Sequence, residues 1–478
     1  MAEKEYTECL LESKYHEGCP GCKVDQMKRL RHGFPFSELF SVWIIVLCTT
    51  LPISSLFPFL YFMIDDFDIA KKEEDIGFYA GFVGCSFMLG RALTSVICGI
   101  LADRYGRKPV ILIGTTSVVV FNTLFGLSLN FWMAIITRFC LGCFNGLLGG
   151  PIKAYAVETF RDEYQSLALS AVSTAWGIGL IIGPAIGGFL AQPAKQYPSL
   201  FSQDSIFGKF PYCLPCFAIS IFAFLVTIIS LWIPETLHNH KFDDHDQSFD
   251  AVKDDPESNK VAKKNEKKSL LKNWPLMSSM IVYCIFSLHN MAYTEIFSLW
   301  ANSPRKFGGL AYTTAEVGSV LAVSGVGLLI FQLSLYSYAE RNLGPIIVTR
   351  ICGILSVVVL STYPLIAKLS GVALTMALYS ASVAKNVLST STITGTFILQ
   401  NRAVGQDQRG AANGISMTAM SICKAIGPGA AGVIFSWSEK RQDASFLPGT
   451  QMVFFILNVV LAVGVLWTFK PFLGERQH

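Results

Sequence analysis

Charge is scarce in this chain. Asp, Glu, Lys and Arg make up only 15% of it, against 52% hydrophobic residues, 36 of them Phe, and a mean hydropathy of +0.46. Soluble domains carry about 25% charged residues, so the shortage excludes an ordinary water-soluble globule. The net charge of +4 is too slight to attract nucleic acid. An apolar stretch is missing from the first forty residues, which excludes a secretory signal peptide and places the N-terminus in the cytosol. A disulfide framework is missing too: the cysteines lie mostly inside apolar runs (Cys48, Cys85, Cys98, Cys140, Cys143, Cys284, Cys352), where they act as small hydrophobes. There is no HExxH, no P-loop, no ATP-binding domain and no intramembrane nucleophile with a base, so neither an embedded enzyme nor an ATP-driven pump is expected.

What is present is a series of long apolar runs, each near the roughly 20 residues that a spanning helix needs. Twelve are expected, at 39–63, 77–101, 108–128, 131–153, 166–191, 211–233, 274–299, 314–338, 345–367, 370–398, 412–436 and 450–469. The fold class that follows is all-α, a polytopic membrane protein with twelve transmembrane helices in two six-helix bundles. A cytosolic tail (1–37) precedes the first bundle (38–233), and a solvated linker (234–272) rich in Asp, Lys, Ser and Asn separates it from the second (273–470). A short tail (471–478) ends the chain. Basic residues of the first tail and of alternate loops fall on one side, opposite the acidic loop Asp65–Asp75, which puts both termini in the cytosol; Arg305 and Lys306 are the exception.

The second and third runs are joined by GILADRYGRKP, Gly99 to Pro109. Asp103, Arg104, Arg107 and Lys108 cannot sit in hydrocarbon, where each would cost about 2.5–3.5 kcal/mol at a helix centre. The segment is therefore a tight cytosolic turn, in which Gly99 allows close helix approach and Gly106 a positive φ. It echoes YAERNLGP at 338–345, which carries Glu340 and Arg341 about 240 residues further on. A second pair repeats likewise: GLIIGPAIGG at 179–188 and KAIGPGAAG at 424–432. Internal repeats of this kind mark a transporter with its site between two bundles. In the fifth run Gly179, Gly183, Gly187 and Gly188 are expected to form one close-packing face, bent by Pro184.

The turn resembles the G-x-L-a-D-r-x-G-R-k signature of the major facilitator superfamily. Arg138 and Gly142 match that superfamily's R-x-x-x-G pattern, and residues 179–188 its antiporter motif. The strings CPGC at 19–22, WGIGLIIGPAIGG at 176–188 and PETLHNH at 234–240 further resemble the plant zinc-induced facilitator-like family. The resemblance implies proton-coupled transport in zinc, iron and potassium homeostasis, in the vacuolar or plasma membrane, with nicotianamine and related chelators among the substrates.

Ionisable residues within the runs face a bundle interior or a cavity by default. Glu295 leads as proton carrier, with His289 and Arg138 as further proton-coupling candidates; the alternative for Glu295 is an outer-interface ion pair with Arg305 or Lys306. Arg91, Arg138, Lys385 and Lys424 are the candidate substrate cavity. Four cations and one carboxylate suit an organic anion or zwitterion better than bare zinc. Gly99, Asp103, Arg104, Gly106, Arg107 and Lys108, with Glu340 and Arg341, are expected to latch a cytosolic gate in the outward-facing state. Outside the membrane, Cys19, Cys22, His238 and His240 make a candidate regulatory zinc site; the alternative is a solvated turn. No other cofactor is expected.

The functional expectation is a proton-coupled antiporter that exports a nicotianamine-like molecule or its metal chelate, with a small-molecule substrate, protons and the lipid bilayer as partners and a monomer sufficient. A proton-coupled exchanger of potassium or another monovalent cation, and a non-transporting membrane zinc sensor, are the alternatives.

Overall fold

The computed structural model describes residues 16, 18–30, 35–238, 272–404 and 409–473. His240, most of the linker and the outermost parts of both tails lie outside the described residues. Among the described residues there is no strand. Among these residues eleven helices are long and apolar enough to cross a membrane, and one shorter apolar helix brings the set to twelve.

In the first half these are α1 (Phe36–Ser54), α2 (Ile76–Tyr105), α3 (Arg107–Gly126), α4 (Phe131–Gly149), α5 (Asp162–Leu190) and α6 (Cys213–Ser230). The second half repeats the set as α7 (Trp274–Asn302), α8 (Thr314–Ser334), α9 (Pro345–Ile366), α10 (Gly371–Arg402), α11 (Arg409–Glu439) and α12 (Thr450–Leu466). The first apolar run is shorter as a helix than its sequence suggests. With Pro52 inside and Pro58 after it, α1 stops at Ser54, and a separate short helix, Leu60–Asp66, follows. The fourth run likewise breaks at Gly150–Pro151, and Pro151–Thr159 forms its own short helix.

Each half is built by the same contacts. In the first, α1 packs on α5 and α6, α2 on α4, and α3 on α4 and α6; in the second, α7 packs on α11 and α12, α8 on α10, and α9 on α10 and α12. The halves meet along two seams, α2 against α11 and α5 against α8. These are equivalent under the repeat. A Cβ added at Gly81 of α2 would meet the carbonyl oxygen of Pro428 at 2.6 Å and the Cα of Gly432 at 3.0 Å. A Cβ at Gly318 of α8 would meet Pro184 O at 2.6 Å and Gly188 Cα at 2.9 Å. Only glycines permit backbones that close.

The turns repeat as well. Gly106 between α2 and α3 has φ +105°, and Gly344 before α9 has φ +77°, both in the region that favours glycine. Gly99 differs from expectation: nothing lies within 4 Å of a Cβ placed there, so it makes no close helix approach.

Alternation of the helices gives the molecule two faces. The tail face carries the helix Pro20–Leu30, the Gly106 and Gly344 turns and the segment after α6; the loop face carries segments 55–75, 191–212, 303–313 and 440–449. On the loop face the halves share one apolar core, where Phe59, Met63 and Ile64 join Phe297, Trp300, Tyr363 and Phe454.

Candidate transport site and gates

Glu295 lies on α7 in the stretch that runs alongside the α2/α11 seam. Its Oε2 would be 3.1 Å from a Cβ at Gly84, and Pro428 lines the same spot. It is 1% exposed, and neither carboxylate oxygen has a hydrogen-bond partner. The outer-interface alternative is not what forms: Lys306 pairs with Glu73 instead. Gly84 explains the placement, since any larger residue on α2 would push the carboxylate away.

Arg138 is buried within the first half, donating from Nη1 to the Pro52 carbonyl at 2.9 Å and lying over the rings of Phe125 and Phe87. Its field reaches Glu295 across the seam. His289 and Lys385 form a different locus inside the second half. Lys385 donates to Ser389 and sits 4.7 Å from the Tyr293 ring centroid, with its charge acting on His289.

The expected cavity set therefore divides. Arg138 and Lys385 are fully buried, each contacting side chains and carbonyls of its own half. Arg91 on α2, Lys424 on α11 and Lys153 in the helix Pro151–Thr159 lie within electrostatic reach of one another, and the three like charges repel. Arg91 also lies over Trp176 of α5 at 5.7 Å. Arg91 and Lys424 are half-buried and Lys153 is exposed, so the cluster reaches solvent. Such a set can bind carboxylates by charge and one apolar face by stacking.

In the fifth helix the motif glycines serve two partners, not one. Gly179, Gly183 and Gly187 abut Thr50, Ser54 and Ser55 of the first transmembrane segment, with Ser54 Oγ donating to Gly179 O at 2.8 Å. Gly188 follows Gly187 by one residue, about 100° around the helix, and so faces α8.

The signature turn is organised by carboxylates of its own half. Arg107 bonds Asp103 at 2.5 Å and Glu158 at 2.9 Å. Glu235 accepts from the backbone N–H groups of Arg107 (2.9 Å) and Lys108 (3.0 Å), capping the N-terminus of α3. Arg104 stays over Tyr105. In the second half Glu340, in the short helix Tyr336–Leu343 that follows α8, pairs with Arg402 at 2.6 Å and ties that helix to the end of α10, while Arg341 is exposed. In this conformation the two turns are each satisfied within their own half.

The loop face is where the halves are joined. Glu73 pairs with Lys306 and Asp75 with Lys440 (2.5 Å); Ser436 donates to Glu74 O (2.5 Å), Asn302 to Pro58 O (3.2 Å) and Thr314 to Gly188 O (3.1 Å). Beside these, burial and the neighbouring Asp66 and Glu73 raise the Asp65 carboxyl above the usual aspartate range, with Lys195 opposing. Asp65 therefore takes up a proton on acidification before an ordinary aspartate does.

On the tail face Cys19, Cys22 and His238 converge, their ligand atoms within 4.8 Å of one another. That is three of the four residues that the sequence suggests for zinc.

Residues 42–390 match the profile described as Major Facilitator Superfamily. The chain is 83% identical to Protein ZINC INDUCED FACILITATOR-LIKE 1 of Arabidopsis thaliana and 66% identical to Protein ZINC INDUCED FACILITATOR 1 of the same plant, in both cases over 100% of each chain. Among solved structures, a D-xylose–proton symporter superposes with a TM-score of 0.70 at 14% identity, covering 93% of this chain and 99% of its own, and so shares the fold. The chain belongs to the major facilitator superfamily, within it to the zinc-induced facilitator family, and is a multi-pass membrane transporter rather than an enzyme.

Proposed function

We propose that this transporter is a proton-coupled antiporter that moves a small organic anion or zwitterion out of the cytosol, in the service of metal homeostasis at the vacuolar or plasma membrane. One observation carries the reading: Glu295 is buried beside the seam between the halves with both oxygens unpartnered. An unpaired carboxylate in such surroundings costs several kcal/mol, so the group holds a proton while the loop face is sealed. Separation of the seam hydrates it, and Arg138 supplies the field that supports its ionised form. The carboxyl is thus charged in one arrangement of the halves and neutral in the other, which is what coupling requires.

The substrate class rests on Arg91, Lys153 and Lys424 with Trp176. Three cations repel bare zinc or potassium and attract carboxylates. A carboxylate-rich chelator of the nicotianamine kind, or its metal chelate, fits both the charge and the implication of the family resemblance. The tail face is then cytosolic, both termini with it, and the turns at Gly106 and Gly344 are free to latch together when the loop face opens.

The test is flux in liposomes under an imposed pH gradient, with labelled nicotianamine, its zinc complex, free zinc and potassium offered separately. Chelator flux that collapses with the gradient, and that loses its gradient dependence in Glu295→Gln while exchange of substrate for substrate continues, is expected. Gradient-driven flux unchanged in Glu295→Gln would overturn the assignment of the proton carrier. Flux of free cations alone would overturn the substrate class.

A further inference from the structure

The helix Pro20–Leu30 is polar and lies beneath the first half rather than in the membrane. It is held there at two points. Arg161, at the start of α5, donates from its guanidinium to Lys28 O, and Gly21 N donates to Leu237 O at 3.1 Å in the segment that follows α6. At the second point the His238 ring rests directly on Gly21: a Cβ there would lie 2.8 Å from the ring atoms.

Pro20 opens the helix and Gly21 leaves room for the ring, so the two cysteines on either side turn inward to the same place. Cys19 Sγ is 3.9 Å and Cys22 Sγ 3.7 Å from His238 Nδ1, and both thiols are buried. Zinc bound tetrahedrally, with Zn–S about 2.3 Å and Zn–N about 2.0–2.1 Å, sets sulfur and nitrogen about 3.6 Å apart. The far ring nitrogen points to a further partner: Nε2 is 3.3 Å from Asp25 Oδ2. A carboxylate on the outer nitrogen is the arrangement that fixes a metal-ligating histidine in its tautomer and orientation.

We infer that Cys19, Cys22 and His238 bind a zinc ion that clamps the Pro20–Leu30 helix to the segment after α6, and that this clamp regulates the signature turn. Two thiolates and a neutral imidazole balance the charge of the ion. Among the described residues the site has three protein ligands, Cys19, Cys22 and His238. The link to the turn is short. Glu235, three residues before His238, caps the N-terminus of α3 through the Arg107 and Lys108 amides and also accepts from Thr236 N and Leu237 N. Thr236 Oγ1 donates to Glu158 at 2.6 Å, and Glu158 holds Arg107. Zinc fixes His238 and with it the whole 235–238 hook; without zinc the hook loosens and the turn loses its cap. This inference stands apart from the transported substrate, and its readouts need no flux.

Untagged full-length protein in detergent is titrated with zinc against a chromophoric chelator, and with cobalt for the thiolate-to-metal charge-transfer band. One zinc per chain and a cobalt–thiolate band are expected. Cys19→Ser with Cys22→Ser removes the band and weakens binding at least a hundredfold, and Asp25→Asn weakens it about ten- to a hundredfold. Gly21→Ala keeps every ligand but displaces the ring, so it also weakens binding; being monodisperse without zinc shows that it folds. Hydrogen exchange reads the coupling: zinc slows the Arg107 and Lys108 amides in the native protein and not in the double serine variant. Zinc binding unaffected by the cysteine changes, or none at all, overturns the site. Binding without a change at Arg107 and Lys108 overturns the regulation.

Discussion

Lys153 stands in the short helix Pro151–Thr159, just past the break that ends α4, and its sequence context is that of one more basic residue in a turn. Only the packing of α2 and α11 brings Arg91 and Lys424 to it. If the three share an organic anion, Lys153→Met, which keeps the stem and removes the charge, raises the KM for nicotianamine uptake about tenfold, the worth of a charge-assisted hydrogen bond of about 1.5 kcal/mol. Lys153→Arg restores most of it, and the maximal rate stays within about twofold. An unchanged KM in initial-rate measurements would remove Lys153 from the path. Glu295 was legible because a lone carboxylate in an apolar run has few explanations; its neighbour Gly84 was not, since the contact crosses between halves. Glu439 gave no sequence signal. It is followed by Lys440 and Arg441 like any charged stop, yet it is buried at the end of α11 and accepts from Ser303 Oγ at 2.5 Å.

Among the elements, the glycines carry the architecture. The repeat GP…G at 183–188 and 427–432 was plain in the sequence as a close-packing face, but periodicity places residues on a helix and not against a partner. That three of the four motif glycines face α1 and the fourth faces α8 needed the fold. The turn at Gly106 was legible from its density of charge, whereas Gly99 was misjudged because glycine in an apolar helix signals close approach only when a neighbour is there. The contrast gives a paired test. In Gly318→Val the added side chain meets the backbone of Pro184 and Gly188, which cannot yield as a flexible side chain would. Sealing of the loop face is then impaired: spin labels at the exposed positions Leu200 and Asp443, one in each half, move to longer separations, and transport falls at least tenfold with normal abundance. Gly99→Ala, with open space around it, leaves both readings at the native value. Equal effects of the two changes would deny the seam its role.

For the molecule as a whole, the distribution of polar contacts decides which state is seen. The signature turns on the tail face satisfy their charges inside their own halves, through Arg107 with Asp103 and Glu158 and through Glu340 with Arg402. On the loop face the pairs Glu73–Lys306 and Asp75–Lys440 cross between halves. Lys306, which with Arg305 breaks the charge bias expected of that side, thus has a reason to be there: it is a closing contact. Exposed pairs are worth about 0–1 kcal/mol each, so two of them bias the closed state without trapping it. Lys306→Glu replaces an attraction with a repulsion of similar size and is expected to shift the population of the loop-face-sealed state by about tenfold, read from the same label separations. Glu73→Lys combined with Lys306→Glu restores the pair with its signs exchanged and brings the distances back. Added salt weakens the native bias and the defect together, because both are screened. If the single reversal left the distances unchanged at low salt, the apolar core around Phe59, Trp300 and Tyr363 would alone hold the face shut, and the ion pairs would be bystanders to the closure.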